Sequence, residues 1–212
     1  MPRTAQARAR RPKKTATKPV VFEPTRANTK AFKTAAAWGK WLAAHHARSD
    51  GLWLRLYKKA SGVPSIDHAQ ALEEALCWGW IDGQGRPLDE RSWLQRFTPR
   101  RARSPWSKRN QDHVARLSRE GRMQPSGLAE VEAAKADGRW GRAYDSPANA
   151  KVPDDFLRAL RRDPQALAFF QGLNRANVFA ICYRLQTARK PETRQRRLDA
   201  ILQMMKDGRK FH

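Results

Sequence analysis

Apolar residues first recur with helical spacing at Trp38, Trp41, Leu42 and His45, at i, i+3, i+4 and i+7, behind Thr34 as a candidate N-cap. Ser49, Asp50 and Gly51 end this stretch. LWLRLY (52–57) then alternates, with Leu52, Leu54 and Leu56 on one side and Trp53, Arg55 and Tyr57 on the other, so it predicts a strand. A turn follows at Lys58, Lys59, Ser61, Gly62 and Pro64. Asp67 and Gln70 form a capping box for a second helix that buries Leu72, Ala75 and Leu76. WGWID predicts another strand, DGQGRP a glycine-rich turn, and RSWLQRF (91–97) the returning antiparallel strand.

Beyond Pro99 the pattern is helical throughout. Ser107 can cap a helix carrying Val114 and Leu117, stopped by Gly121, and Pro125 opens another through Ala134, stopped by Gly138. The polar joint YDSPANAK (144–151) separates these from a helical unit in which Pro153 takes a first helical position ahead of Asp154 and Asp155. Phe156, Leu157 and Leu160 form its first apolar face, and Asp163-Pro164 restarts the pattern with Leu167 and Phe170. Two further stripes follow, at Val178, Ile181, Cys182, Leu185 and at Leu198, Ile201, Leu202, Met205. There is no internal repeat. The expected architecture is α+β, with a small antiparallel sheet and packed helices followed by a compact helical C-terminal subdomain. The expected divisions are a disordered basic arm (1–21), an α+β domain (22–145) and the helical subdomain (146–212).

Charge adds a question about partners. The 212 residues hold 43 Lys+Arg against 20 Asp+Glu, a net charge of +23, which bears on association and not on fold. Nucleic acid, anionic membrane surfaces and phosphate-bearing small molecules are the candidate partners. Arg3, Arg8, Arg10, Arg11, Lys13, Lys14 and Lys18 crowd the arm without one acidic residue. The arm is either a solvated tail or a non-specific tether for nucleic acid whose grip falls steeply with salt. No apolar run follows it, as a secretory signal would need, and no stretch is long and apolar enough to span a membrane, so a cytoplasmic location is expected. Cys77 and Cys182 sit in apolar helical patterns and read as buried free thiols of a reducing compartment.

The richest segment chemically is PRRARSPWSKRN. Arg100, Arg101, Arg103, Lys108 and Arg109 surround Ser104 and Ser107 where a helix should begin. A helix N-terminus with nearby guanidinium groups suits phosphate or carboxylate. Arg100, Arg101, Ser104, Trp106, Ser107 and Asn110 are therefore the candidate anion-binding residues, with Trp106 as a stacking face. The plainer alternative is that Ser107 only caps, Trp106 packs and the arginines are solvated. Trp80, Asp82, Arg96 and Arg194 are candidates for a cleft, with Asp82 a general base, a turn residue bonded to Gly83, or a partner of Arg96. In KPETRQRR, Glu192 suits a helix start, and Arg194 and Arg197 face an anion or an acidic patch on the first domain. GQGRPL lacks the third glycine and following helix of a dinucleotide fingerprint. No phosphate loop, HExxH or CxxC is present; adjacent His45 and His46 point about 100° apart, and His113 reads as an ordinary boundary residue. No cofactor and no metal are expected, and no catalytic residue can be assigned.

ALCWGWIDG (75–83), FTPRRARSPWSKRN (97–110), GRM (121–123), GLAEVEAAKADGRW (127–140) and ARKPETRQRR (188–197) resemble, in order, blocks of the YdeI/OmpD-associated, or bacteriocin-protection, family. The resemblance covers Phe22 to Arg209 and leaves out the arm. It implies a role in protection against bacteriocins and other antimicrobial peptides and an association, in name, with an outer-membrane porin, and carries no assigned reaction. The basic, hydroxyl-rich helix start adds binding of an anionic ligand or an acidic protein surface as the expected means. The alternatives are a basic protein associated with nucleic acid, or an enzyme on a phosphorylated or carboxylated small molecule with Asp82 as base and Arg100 or Arg101 as clamp.

Overall fold

Side-chain caps start most of the helices as expected. Thr34 accepts the Ala37 amide ahead of α1 (Ala35–His45), and Asp67 and Gln70 exchange both bonds of the capping box at α2 (His68–Cys77). The structure, a computed structural model, describes residues 22–212. The basic arm (1–21) thus lies outside the described residues.

Four strands form one sheet in the order β1-β2-β4-β3: β1 (Thr29–Lys30), β2 (Leu52–Tyr57), β3 (Trp80–Asp89) and β4 (Ser92–Pro99). β2 pairs antiparallel with β4 and β4 with β3, but β1 runs parallel to β2. The sheet is therefore mixed, not antiparallel throughout. Two residues carry no alternation to read, and β1 is aligned by long-range bonding: the Trp53 amide donates to the Asn28 carbonyl at 2.8 Å.

The glycine-rich run is also not a turn. Gly83 and Gly85 lie inside β3, at a register shift between Asp82 and Gly85. The Gln95 amide of β4 donates across to the Gly83 carbonyl at 2.8 Å, and its Oε1 stands 3.1 Å from where a Gly85 Cβ would be. Glycine here marks a bulge and a close side-chain approach. The chain reverses after Asp89, whose carboxylate accepts from the Arg91 amide and the Ser92 hydroxyl.

Strand alternation sorts the two faces. Leu52, Leu54, Leu56 and Phe97 point to the side covered by α1 and α2, where Trp38 meets Phe97 and Trp80 edge-on at 5.8 and 6.2 Å. Trp53, Arg55 and Arg96 point the other way. Phe22 lies over Trp53 there, accepting its indole N–H at 3.0 Å.

α3 (Lys108–Arg119) and α4 (Pro125–Ala136) complete the first core through Val114, Leu117, Val131 and Ala134. α4 sits hard against the end of α2: the Gln124 amide donates to the Cys77 carbonyl and the Ser126 hydroxyl to the Trp78 carbonyl. Only a glycine at 127 lets the two backbones meet so closely.

A second core gathers Phe156, Leu160, Phe170, Ile181, Leu185 and Leu198 from α5 (Asp154–Leu160), α6 (Pro164–Gln171), α7 (Arg175–Gln186) and α8 (Pro191–Lys206). Pro153 stands at the N-cap of α5, one residue before the expected position. Between the cores, the Tyr144 amide donates to the Trp106 carbonyl and the Lys108 amide to the Tyr144 carbonyl. The Asp145 carboxylate joins Lys108 Nζ at 2.7 Å to the Gln186 amide at 2.9 Å.

Lys108, more than the opposing effect of burial, holds the Asp145 carboxyl below the ordinary carboxylate range. A carboxyl depressed in the folded state contributes stability above its unfolded value and loses it as pH falls through the folded one. Acidification from about pH 5 towards about pH 3 should therefore loosen this joint. Amide exchange at Lys108 and Tyr144 should quicken in that window, and Asp145→Asn should reproduce the effect at neutral pH. Exchange rates indifferent to both changes would show that the carboxylate does not hold the joint.

Candidate functional site

Three arginines converge where β4 ends. Arg96 points away from the core, with its guanidinium 4.6 Å from the Phe22 ring centroid. Its Nε is buried without a hydrogen-bond partner. Burial first, and the charge of Arg101 second, lower the Arg96 pKa. Arg101 itself is exposed, in a tight turn where its amide donates to the Ser104 hydroxyl at 3.1 Å and the Ser104 amide to its carbonyl.

Arg100 turns inward and is only 6% exposed. Its guanidinium stacks 3.6 Å over Trp106 and Nη2 donates to the Pro105 carbonyl at 2.8 Å, while Nε and Nη1 have no partner. Burial pushes Arg100 down to about 10, so it still carries its charge at neutral pH.

Two adjoining grooves open at this corner. One, of about 390 Å³, is lined by Phe22, Asp50, Arg96, Thr98, Arg100 and Arg101 among others. The other, of about 220 Å³, runs past Gly83, Gln84, Arg96, Arg101 and Ser104. Among the described residues, none of the three arginines is in an ion pair, and the arm, which holds no Asp or Glu, has no carboxylate to lend. Three guanidinium groups outnumber Asp50, the one carboxylate in either lining, and make a local positive field. With guanidinium donors and the Thr98 and Ser104 hydroxyls, the corner is equipped to hold an anion.

The helix start after Pro105 is not part of this groove. Trp106 is 1% exposed, clasped between Arg100 and Trp140, so it has no free ring for stacking. Ser107 and Asn110 are buried, and the Ser107 hydroxyl is occupied in capping the Asn110 amide. Tyr144 takes the Lys108 amide, which closes the helix N-terminus to a ligand. Burial, not residue type, excludes these three.

Nor do Trp80, Asp82, Arg96 and Arg194 share a cleft. Asp82 pairs in register with Phe97 and so points to the opposite face from Arg96. Its carboxylate meets His68 Nε2 at 3.1 Å, a partner 14 residues away that no local pattern announces. Trp80 belongs to the core and donates its indole N–H to the His46 carbonyl. Arg194 forms a bidentate pair with Asp155 inside the helical unit, and Arg197 donates to the Arg184 carbonyl. Neither arginine reaches the first domain by these contacts. Phe22, Asp50, Gly83, Gln84, Thr98 and Pro99 are the groove residues that sequence reasoning missed, and no local pattern singles them out.

Among the described residues, no group of three or more His, Cys, Asp or Glu is placed to hold a metal ion, and no helix is long and apolar enough to cross a membrane. No curated protein and no solved structure matches the chain. Two family models do. Residues 30–130, which include most of the groove, match a domain of unknown function (DUF8412). Residues 149–208 match the model described as Bacteriocin-protection, YdeI or OmpD-Associated, a narrower span than the Phe22 to Arg209 of the resemblance. The whole of α5 to α8 falls within it. In this helical unit, residues 149–208, the chain is similar to the YdeI/OmpD-associated, bacteriocin-protection family.

Proposed function

We propose that this protein takes part, from the cytoplasm, in protection against bacteriocins and other antimicrobial peptides, and that it does so by binding an anionic ligand in the groove at the end of β4. The match of residues 149–208 to the bacteriocin-protection model supports the protective role. The observation that carries the binding role is the meeting of Arg96, Arg100 and Arg101 with no carboxylate paired to any of them. Arg100 supplies a fixed charge from behind. Arg96 and Arg101 make the contacts, and the Ser104 turn sets the direction of Arg101.

Inorganic phosphate and pyrophosphate are suitable ligands for a first titration of the full chain by calorimetry. Saturable binding is expected for at least one of them. The double variant Arg96→Glu/Arg101→Glu should weaken it by about a hundredfold, roughly a factor of ten for each charge-assisted hydrogen bond lost. Equal affinity in the variant would move the site elsewhere. In cells, deleting the gene should lower survival under bacteriocin or polymyxin challenge, and the double variant should fail to restore it. Unchanged survival of the deletion strain would remove the protective role.

A further inference from the structure

A third groove, of about 490 Å³, runs along α7. It does not touch the arginine corner and it differs in chemistry. Ala176 and Ala180, one turn apart, form its floor, and Phe179 and Tyr183 form a wall. The Tyr144 ring stands behind that wall, edge-on to Tyr183 at 4.8 Å. Arg175, Arg184 and His212 stand at the rim, and no Asp or Glu lines it. Arg184 is committed: it donates to the Ala180 carbonyl at 3.1 Å and stacks 3.8 Å over Phe211. Arg175 is exposed and, among the described residues, is in neither a hydrogen bond nor an ion pair. It stands in the first turn of α7, where the helix dipole adds to its positive charge.

We propose that this groove binds a linear aliphatic carboxylate, a fatty acid, with its headgroup at Arg175 and its chain laid along Ala176, Phe179, Ala180 and Tyr183. A mostly apolar trough with one or two fixed polar groups is the usual make-up of a small-ligand site. From Arg175 to Tyr183 the helix rises about 12 Å, a length along which an extended chain can lie. Charge decides between occupants. A net charge of +23 sets this chain against a second copy of itself and against cationic peptides. A fully hydrophilic anion would gain nothing from the alanine and aromatic lining.

The test is calorimetric titration of the full chain with dodecanoate below its aggregation range, with butyrate and dodecylammonium as controls for length and sign. One equivalent of dodecanoate should bind, and neither control should bind comparably. Ala176→Trp fills the floor and should abolish binding, and Arg175→Glu should weaken it by about tenfold or more. Both positions are exposed, so circular dichroism should show the fold intact. Arg96→Glu/Arg101→Glu should leave dodecanoate binding unchanged, which separates this site from the phosphate groove. Absence of saturable binding, comparable binding of dodecylammonium, or undiminished affinity in either α7 variant would overturn the proposal.

Discussion

Gly127→Ala should destabilise the first unit by about 3 kcal/mol, although alanine inside a helix ordinarily improves on glycine by up to about 1 kcal/mol. The sign reverses because of what lies opposite. A Cβ at 127 would stand 2.8 Å from the Leu76 carbonyl oxygen and closer still to that of Cys77, both backbone atoms of α2. No rotamer change relieves a clash with backbone. α4 would have to retreat, stretching the Gln124–Cys77 and Ser126–Trp78 bonds and opening space beneath Val131 and Ala134. Overpacking of this kind costs about 1–3 kcal/mol, and each buried hydrogen bond lost adds roughly another 1 kcal/mol. Urea unfolding followed by tryptophan emission measures it directly. A variant as stable as the parent would mean that α2 and α4 do not lie this close.

Phe156→Ala should melt the helical unit while leaving the sheet domain standing. Phe156 is fully buried, edge-on to Phe170 at 5.6 Å, at the centre of the second core. Removing a buried phenylalanine costs about 3–5 kcal/mol, and a unit of about 60 residues has little more than that to lose. The chain provides a clean readout. All eight tryptophans, from Trp38 to Trp140, precede the joint, so their emission follows the first core alone. Far-UV circular dichroism follows both. In the variant, ellipticity should fall at low denaturant while tryptophan emission keeps the parent midpoint. If the two signals still moved together, the cores would unfold as one body, and the Lys108–Asp145–Gln186 tie would be stronger than two hydrogen bonds and an ion pair suggest.

Much of the fold was legible because its signals are local. Thr34, Asp67 with Gln70, Ser107 and Asp163 followed by Pro164 each cap a helix within three residues of themselves, and LWLRLY shows its two faces in six. What the sequence hid depends on distant partners. β1 is a strand only because β2 lies beside it, and Gly83 and Gly85 sit in a bulge only because Gln95 packs over them.

The candidate site divides along the same line. Arg100, Arg101 and Ser104 were legible as polar groups ahead of a helix and Arg96 as a residue of a separate cleft; that the four share one corner depends on how β4 ends. Ser107 is the harder case: a capping serine has the same local sequence whether its helix start is open or covered. Here Tyr144, 37 residues on, covers it. Arg194 offered no sign that its carboxylate would be Asp155 of its own unit.

Each half buries one sulfhydryl, Cys77 in α2 and Cys182 in α7, and burial raises both pKa values, Cys77 to about 11. Neither therefore ionises appreciably at neutral pH, and alkylating reagents should pass the native chain by. When either half opens, its own sulfur becomes reactive while the other stays masked. The molecule thus carries two internal labels, one per half, and the order in which they are alkylated records which half breathes first.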